Sequence, residues 1–432
     1  MKVAVLLAPL AGGWLAVRLW RGRNLCEPMR IVAGSLLGLG ASSVLFWIWL
    51  RVFGSYGHGL MAVEAGMLGG LIYAAWRRRA GWTWWQPGGG KGWQWAAVAP
   101  GLAVMLGVFA LESGSNPHGQ WDAWGIWNLR ARFLALGGEG WTNGLSPHIR
   151  WSHIEYPLLV PALVARCWAM TGDSGQWAPI AIHFLFTMAL PVVLFAGLVE
   201  LRGFKTAALS VYALVGGMSL GRYGASQYAD VAVSAYMLAA TVMLVLPGEH
   251  AVLAGLMAGM AAWTKNEGLA FVVVLSAAVW LLEGRKRAAV LLGGAAVLLA
   301  AVAVHKIGTG PPLDFSRPAP PLWVRLAQFG RHQLAGRALF QQLFRPGSWW
   351  ISPAVFLALL AAAAGLDRGA ARSKKTVLVW TVLVLSAGVH LLASVAITGD
   401  VAAHLSGAAD RLFLHCWPLA VFSVGLLAKQ AK

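Results

Sequence analysis

Apolar residues in this chain run on unbroken; they neither alternate nor keep to one helical face. Such runs are predicted over 3–20, 31–52, 58–76, 94–111, 177–200, 205–221, 229–246, 250–264, 268–284, 288–306, 351–366, 376–397 and 409–428. Many approach the ~20 residues a helix needs to cross a ~30 Å hydrocarbon layer. Lipid offers a backbone amide no partner, so unbroken runs predict helices, which bond internally. The expected fold is all-α and polytopic, with about 13 transmembrane helices.

Two long hydrophilic stretches divide the chain into five blocks. These are an N-terminal transmembrane block (1–111), a first large loop (112–176), a transmembrane core (177–306), a second loop (307–350) and a C-terminal transmembrane block (351–432). Basic residues cluster between the runs: Arg18, Arg21, Arg23 and Arg30; Arg77, Arg78 and Arg79; Arg202 and Lys205; Arg285, Lys286 and Arg287; Arg368, Arg372, Lys374 and Lys375. Short basic loops stay on the cytoplasmic side, which puts both long loops outside. Within the first loop, 155–171 is apolar but carries Arg166, Pro157 and Pro161. A span there would invert everything after it, so it is expected to lie along the outer surface. Both outer loops are expected to carry short amphipathic helices.

Composition agrees: 58% of the 432 residues are hydrophobic and 12% are charged. The net charge of +18 resides in the short basic loops, without a nucleic-acid-binding module, so no nucleic-acid partner is expected. Cys26, Cys167 and Cys416 are scattered and odd in number, which suggests neither a disulfide framework nor a zinc site. Most of the 24 tryptophans sit at run ends, among them Trp82, Trp84 and Trp85 in the Gly/Trp-rich stretch 81–95. Trp121, Trp124, Trp127, Trp141 and Trp151 follow in the first loop; most are read as interface anchors.

Only 16 residues are acidic, and ten of them fall on the predicted outer side: Glu112, Asp122, Glu139, Glu155, Asp173, Asp230, Glu267, Asp314, Asp400 and Asp410. Glu64 falls within a run. Arg222, Lys265 and Arg411 bring cations to the same side. Ionisable groups gathered at one membrane face suggest a polar substrate handled there. Each also has a plainer explanation. Asp122 and Asp230 could cap helices, Lys265 could snorkel to headgroups, and Arg411 could pair with Asp410. Arg130 and Arg132 could bind phosphate or anionic headgroups. His118, His148 and His153 lack the spacing that stacks ligands on one helix face, so no metal site is assigned.

The ordered set of an aromatic-flanked Asp122, YPLLVP (156–161), a Gly-Asp-Ser turn (172–174), YAD (228–230) and Thr-Lys (264–265) resembles the GT-C superfamily of polytopic glycosyltransferases. That superfamily includes protein O-mannosyltransferases, aminoarabinose transferases and bacterial envelope enzymes. The resemblance covers about 112–300; Asn266 and Glu267 stand where relatives have Gly-Pro. It implies a bacterial inner-membrane enzyme whose site faces the periplasm. The sugar donor would be a polyprenyl phosphate or pyrophosphate, and the acceptor a hydroxyl on a glycan, lipid or protein. No cofactor is indicated.

In such a transfer a single carboxylate removes the acceptor proton. The leaving phosphate is stable as an anion and needs cations rather than a second carboxylic acid. Asp122 is the expected base, with inversion at the anomeric carbon. Lys265 with Arg222 or Arg411 is expected to hold the phosphate. Asp230, Glu267, Tyr156, His153 and Glu155 complete the expected substrate site. Two alternatives remain at this point. One is a transporter or flippase of a lipid-linked or anionic substrate. The other is an O-antigen-ligase-like transferase using Arg325, Arg331, His332 and Arg337 of the second loop.

Overall fold

The computed structural model describes residues 2–20, 25–78, 92–310, 319–346 and 349–430. Arg21, Arg23, Arg79, Trp82, Trp84, Trp85 and Asp314 lie outside the described residues. Among those described every regular element is helical, apart from one isolated bridge between Leu366 and Ala428. The first block holds α1 (Lys2–Leu19), α2 (Glu27–Phe53), α3 (His58–Arg77) and α4 (Gly92–Ser115). The first loop folds into a π-helical turn (Ala123–Trp127), α5 (Asn128–Leu136), two 3-10 turns (Gly140–Leu145 and Pro147–Ser152) and α6 (Leu159–Thr171).

The core follows as α7 (Trp177–Arg202), α8 (Phe204–Gly217), a short α9 (Leu220–Ala225), α10 (Ala229–Val245), α11 (Ala251–Thr264), α12 (Asn266–Glu283) and α13 (Arg285–Thr309). The second loop carries α14 (Leu322–Ala327) and α15 (Phe329–Phe344). The chain closes with α16 (Pro353–Ala364), α17 (Arg368–Ala371), α18 (Lys374–Ala396) and α19 (Val401–Leu426). Seven helices among the described residues are long and apolar enough to cross a membrane: α2, α3, α4 from Val98, α7, α12, α13 and α18. Shorter apolar helices such as α10 and α11 pack between them. The chain therefore has the make-up of an integral membrane protein.

Helices in lipid associate through close backbone approach, which small residues allow. At α1 and α2 this is literal: a Cβ on Gly13 would lie 1.9 Å from Gly34 O, and one on Gly38 1.8 Å from Pro9 O. α11 meets α13 the same way, a Cβ on Gly255 falling 2.0 Å from Leu291 O. α10 fills the centre, with every residue from Ala229 to Val245 buried.

One expectation is corrected. The segment containing α6 does not lie along a surface: Leu159 through Trp168 are all buried, wedged among α1, α2, α5 and α7. An all-round apolar helix belongs in a core. Its arginine is accommodated because Arg166 Nε bonds Glu64 Oε1 of α3 at 2.7 Å. The mid-run carboxylate and the arginine that counted against a span pair with one another.

Contacts at the far ends of several helices gather the basic clusters. Cys26 N donates to Glu200 Oε1 (2.8 Å), Arg202 Nε to Leu426 O (2.8 Å) and Arg287 Nη2 to Leu244 O (2.9 Å). Arg18 and Arg30 both reach Glu27. The first loop reaches α19 elsewhere, through Asp122 on Arg411, away from the Leu426 end.

Candidate functional site

The loop after α4 is held in place by hydrogen bonds to the turn between α9 and α10. Gln120 N donates to Ser226 O (3.1 Å), Gln227 Nε2 to Pro117 O (2.8 Å) and Asn128 Nδ2 to Gln227 Oε1 (2.9 Å). Gln227 is fully buried with φ +59°, a left-handed strain such a side chain accepts only when its surroundings require it. Gly119, at φ +73°, lets the loop pass Ser226, whose carbonyl a Cβ would meet at 2.7 Å.

Asp122 emerges from this clamp just before the π-helical turn. Its carboxylate caps no amide, which removes the helix-cap explanation, and it pairs instead with Arg411 Nη1 of α19. π-helical turns commonly mark functional positions. Arg411 lies 5.1 Å from the Tyr228 ring centroid and donates from Nε to Gly407 O (3.1 Å). The neighbouring Asp410 does not bind the guanidinium. Its Oδ2 accepts from Tyr223 OH (2.9 Å) and its Oδ1 from the Arg411 backbone amide (2.8 Å).

A second cluster lies beside the first. α11 stops at Thr264, Lys265 is extended, and α12 restarts at Asn266. Lys265 Nζ donates to Asp230 Oδ1 (2.8 Å) and lies 3.0 Å from Glu267 Oε1. Asp230 likewise caps nothing; its Oδ1 also hydrogen-bonds His415 Nε2 at 2.8 Å. His415 packs on His390 at 5.3 Å between centroids. His415 and His390 were not singled out in the sequence. Only the four-residue step from Arg411 to His415, one turn along a helix face, could have flagged the first.

Tyr156 closes the wall between loop and core. Its ring stacks on Trp127 (5.4 Å) and His153 (5.1 Å), and Lys265 Nζ sits 5.8 Å from its centroid. Burial, reinforced by Glu267, raises its phenol above the ordinary range. His153 Nδ1 bonds the buried Glu155 at 3.1 Å. Burial alone would raise the Glu155 carboxyl, but His153 and Arg130 outweigh it and hold the group below its usual value. Lys306 Nζ donates to Asn266 Oδ1 (2.6 Å) and Glu155 O (3.2 Å), tying α13 to this wall.

One predicted role changes, and two other arginines find their places. Arg130 meets neither phosphate nor headgroup: it is 1% exposed and donates to Ile126 O, Tyr156 O and Ser152 O. Burial lowers its pKa to about 10, so it stays charged at neutral pH. Arg132 lies over the Trp168 ring at 5.2 Å. Arg222 reaches no buried carboxylate; it is 68% exposed, with Nε 3.8 Å from Glu112. Among the tryptophans, Trp121, Trp124 and Trp151 form an exposed cluster beside Asp122, whereas Trp127 and Trp141 are buried in the core.

Three cavities converge on α19. A polar one of about 1290 Å³ is lined by Asp122, Arg222, Tyr223, Arg337, Asp410 and Arg411, among others. A slot of about 380 Å³ lies across the Asp122–Arg411 pair and reaches His153, Glu155, Tyr156, Lys265 and Glu267. An apolar groove of about 270 Å³ runs between α15, α18 and α19. It shares His390, Ser394 and Leu412 with the slot and Gln342, Ala409 and Phe413 with the polar cavity.

α15 is the partition. Arg337 and Gln341, with Arg345 just past the helix end, line the polar cavity, while Ala335, Leu339 and Leu343 line the groove, as expected of an amphipathic helix. The other basic residues of the second loop serve the fold. Arg325 reaches Ala396 O, and Arg331 Nη1 donates to Val395 O (3.0 Å) and Ile397 O (2.9 Å), satisfying the last carbonyls of α18. His332 bonds Leu326 O at 2.7 Å.

Among the described residues no group of three or more His, Cys, Asp or Glu stands close enough to hold a metal ion. No family model matches the chain, and neither a curated protein nor a solved structure matches it.

Proposed function

We propose that this protein is a GT-C-type membrane glycosyltransferase, moving a sugar from a polyprenyl-phosphate-type donor to an acceptor hydroxyl. About 13 spans, a bacterial inner-membrane location and a site open to the periplasm belong to this reading. The observation that carries it is the Asp122–Arg411 pair, one carboxylate and one guanidinium shared by a polar cavity and an adjoining slot. The apolar groove opening beside both supports a lipid-linked donor, since it offers the first isoprene units a path out of water.

In this reading the donor phosphate enters the slot and takes over Arg411, leaving Asp122 free. The acceptor hydroxyl comes from the polar cavity. Its oxygen bonds to the anomeric carbon as the bond from that carbon to the phosphate oxygen breaks. The hydroxyl proton passes to Asp122, and the electron pair leaves with the polyprenyl phosphate anion, facing Arg411. Attack opposite the leaving group inverts the anomeric carbon.

Lys265 lines the slot but is already shared by Asp230 and Glu267. Its role here is to keep that wall near neutrality and offer one further cation to the phosphate. The O-antigen-ligase-like alternative loses support, because Arg325 and Arg331 are committed to carbonyls.

The test is Asp122→Asn in purified, folded protein, assayed for binding and turnover of radiolabelled polyprenyl-phosphate sugars. Retained donor binding with transfer reduced at least ~100-fold, the usual weight of a general base, supports the reading. Unchanged turnover removes Asp122 as base. A wild type that neither binds nor turns over such donors removes the class.

A further inference from the structure

The 1290 Å³ cavity exceeds the roughly 300–1,000 Å³ typical of small-molecule sites, so it suits more than a single sugar. Its lining carries four arginines (Arg222, Arg337, Arg345 and Arg411) against two aspartates (Asp122 and Asp410). Both aspartates are engaged, Asp122 by Arg411 and Asp410 by Tyr223 and a backbone amide. Arg337 and Arg345 carry no side-chain hydrogen bond or ion pair among the described residues. Arg222 has only the solvated, 3.8 Å contact with Glu112, which is worth little.

The contrast with the remaining loop arginines is informative. Arg325 and Arg331, from the same second loop, are committed to carbonyls of the fold. Arg337 stands on α15 and Arg345 just past its end, where the backbone turns extended, and both line the cavity. Between and opposite them lie Gln341, Gln342, Gln120 and Ser406, neutral groups suited to hydroxyls. Guanidinium groups in such a setting bind phosphate or carboxylate through paired N–H donors.

We propose that this cavity takes an oligomeric, polyanionic acceptor bearing phosphate or carboxylate groups, held by Arg222, Arg337 and Arg345 with its hydroxyl toward Asp122. This rests on the transferase reading for the word acceptor, and on the cavity alone for the anion. The arginines grip charges remote from the reacting hydroxyl and so set its register along the cavity. A neutral oligosaccharide would leave them without partners and bind weakly.

The test uses the full-length protein in discs of phosphatidylcholine, with two soluble probes of equal length: an oligogalacturonate and a neutral oligoglucose. Binding is read by equilibrium dialysis at several salt concentrations, for the wild type, Arg222→Gln and Arg337→Gln/Arg345→Gln. Variants are first matched to the wild type in melting temperature and gel-filtration profile. The expected result is selective binding of the anionic probe that weakens with salt. It should weaken by about tenfold for each arginine removed, as for other charge-assisted bonds.

Equal affinity for the two probes, no binding of either, or anion binding untouched by the substitutions overturns the proposal. So does loss of the anionic probe when phosphatidylglycerol is added to the disc, because the arginines would then be reading headgroups. Donor turnover is measured in the same preparations. Anion binding without turnover defeats the transferase reading and leaves the anion site standing; turnover without anion selectivity does the reverse.

Discussion

Arg166 of α6 grips Glu64 of α3 through two guanidinium nitrogens, Nε and Nη2, and spends Nη1 on Val5 O of α1 at 3.0 Å. The pair joins three helices where the arginine is 1% and the glutamate 14% exposed. Removing one partner leaves the other charge buried without compensation, which costs about 3–5 kcal/mol, whereas replacing both with apolar residues is often neutral. Arg166→Met and Glu64→Leu are each expected to lower the melting temperature sharply, and the double variant to recover most of the loss. Thermal melts in detergent decide this; single variants no worse than the double would defeat it.

Lys265 is held between Asp230 and Glu267, at 2.8 and 3.0 Å. Lys265→Met would leave two carboxylates and no cation in that wall. Asp230→Asn removes one charge while keeping an acceptor for His415. The two changes together should therefore cost less than the sum of their separate costs, with a coupling energy of about 0.5–3 kcal/mol expected of residues in one network. Chemical unfolding of the three variants measures it. Additive costs would mean that the ion pair contributes nothing of its own.

The sequence made some of this legible and hid the rest for identifiable reasons. Asp122, Asp230, Lys265 and Arg411 were readable because charges at the ends of apolar runs are few and must meet at one boundary. Tyr156, Glu155, His153 and Glu267 line the slot with Asp122, Lys265 and Arg411. What stayed hidden depends on tertiary partners. Arg166 and Glu64 lie 102 residues apart, so the arginine counted against a span until its partner was known. His390 sits inside an apolar run, where composition treats it as filler. Arg130 and Arg325 look like surface cations, but backbone carbonyls claim both.

The break between α11 and α12 is fixed by one glycine. A Cβ on Gly268 would stand 1.9 Å from Ala261 O and 2.2 Å from Ala261 C, backbone atoms that cannot swing aside. Gly268→Ala must push the start of α12 away and move Lys265 and Glu267 with it. The expected destabilisation is about 1–3 kcal/mol, as for other overpacked sites, together with a fall in any donor turnover. Gly293, on α13 with open space around its Cβ position, is the control. There alanine should be neutral or stabilising by up to about 1 kcal/mol, because helices favour it over glycine. Equal melting temperatures for the two variants would show that the close approach does not constrain the turn.

Glu155 gives the first loop an acid-sensitive anchor. Its carboxyl is 1% exposed and, despite the upward push of burial, is held below the ordinary glutamate value of 4.5 by His153 and Arg130. A carboxyl whose folded value is depressed stabilises the fold above its unfolded value. That contribution disappears as pH falls through the folded value. Glu155→Gln should therefore melt below the wild type at pH 7. The gap should hold down to about pH 4.5 and then close as acid protonates the native carboxyl. Melting curves across the acid range, run for both proteins in the same detergent, measure the gap directly. A gap that stays constant through the acid limb would assign the loss to packing around Tyr156 rather than to the charge on Glu155.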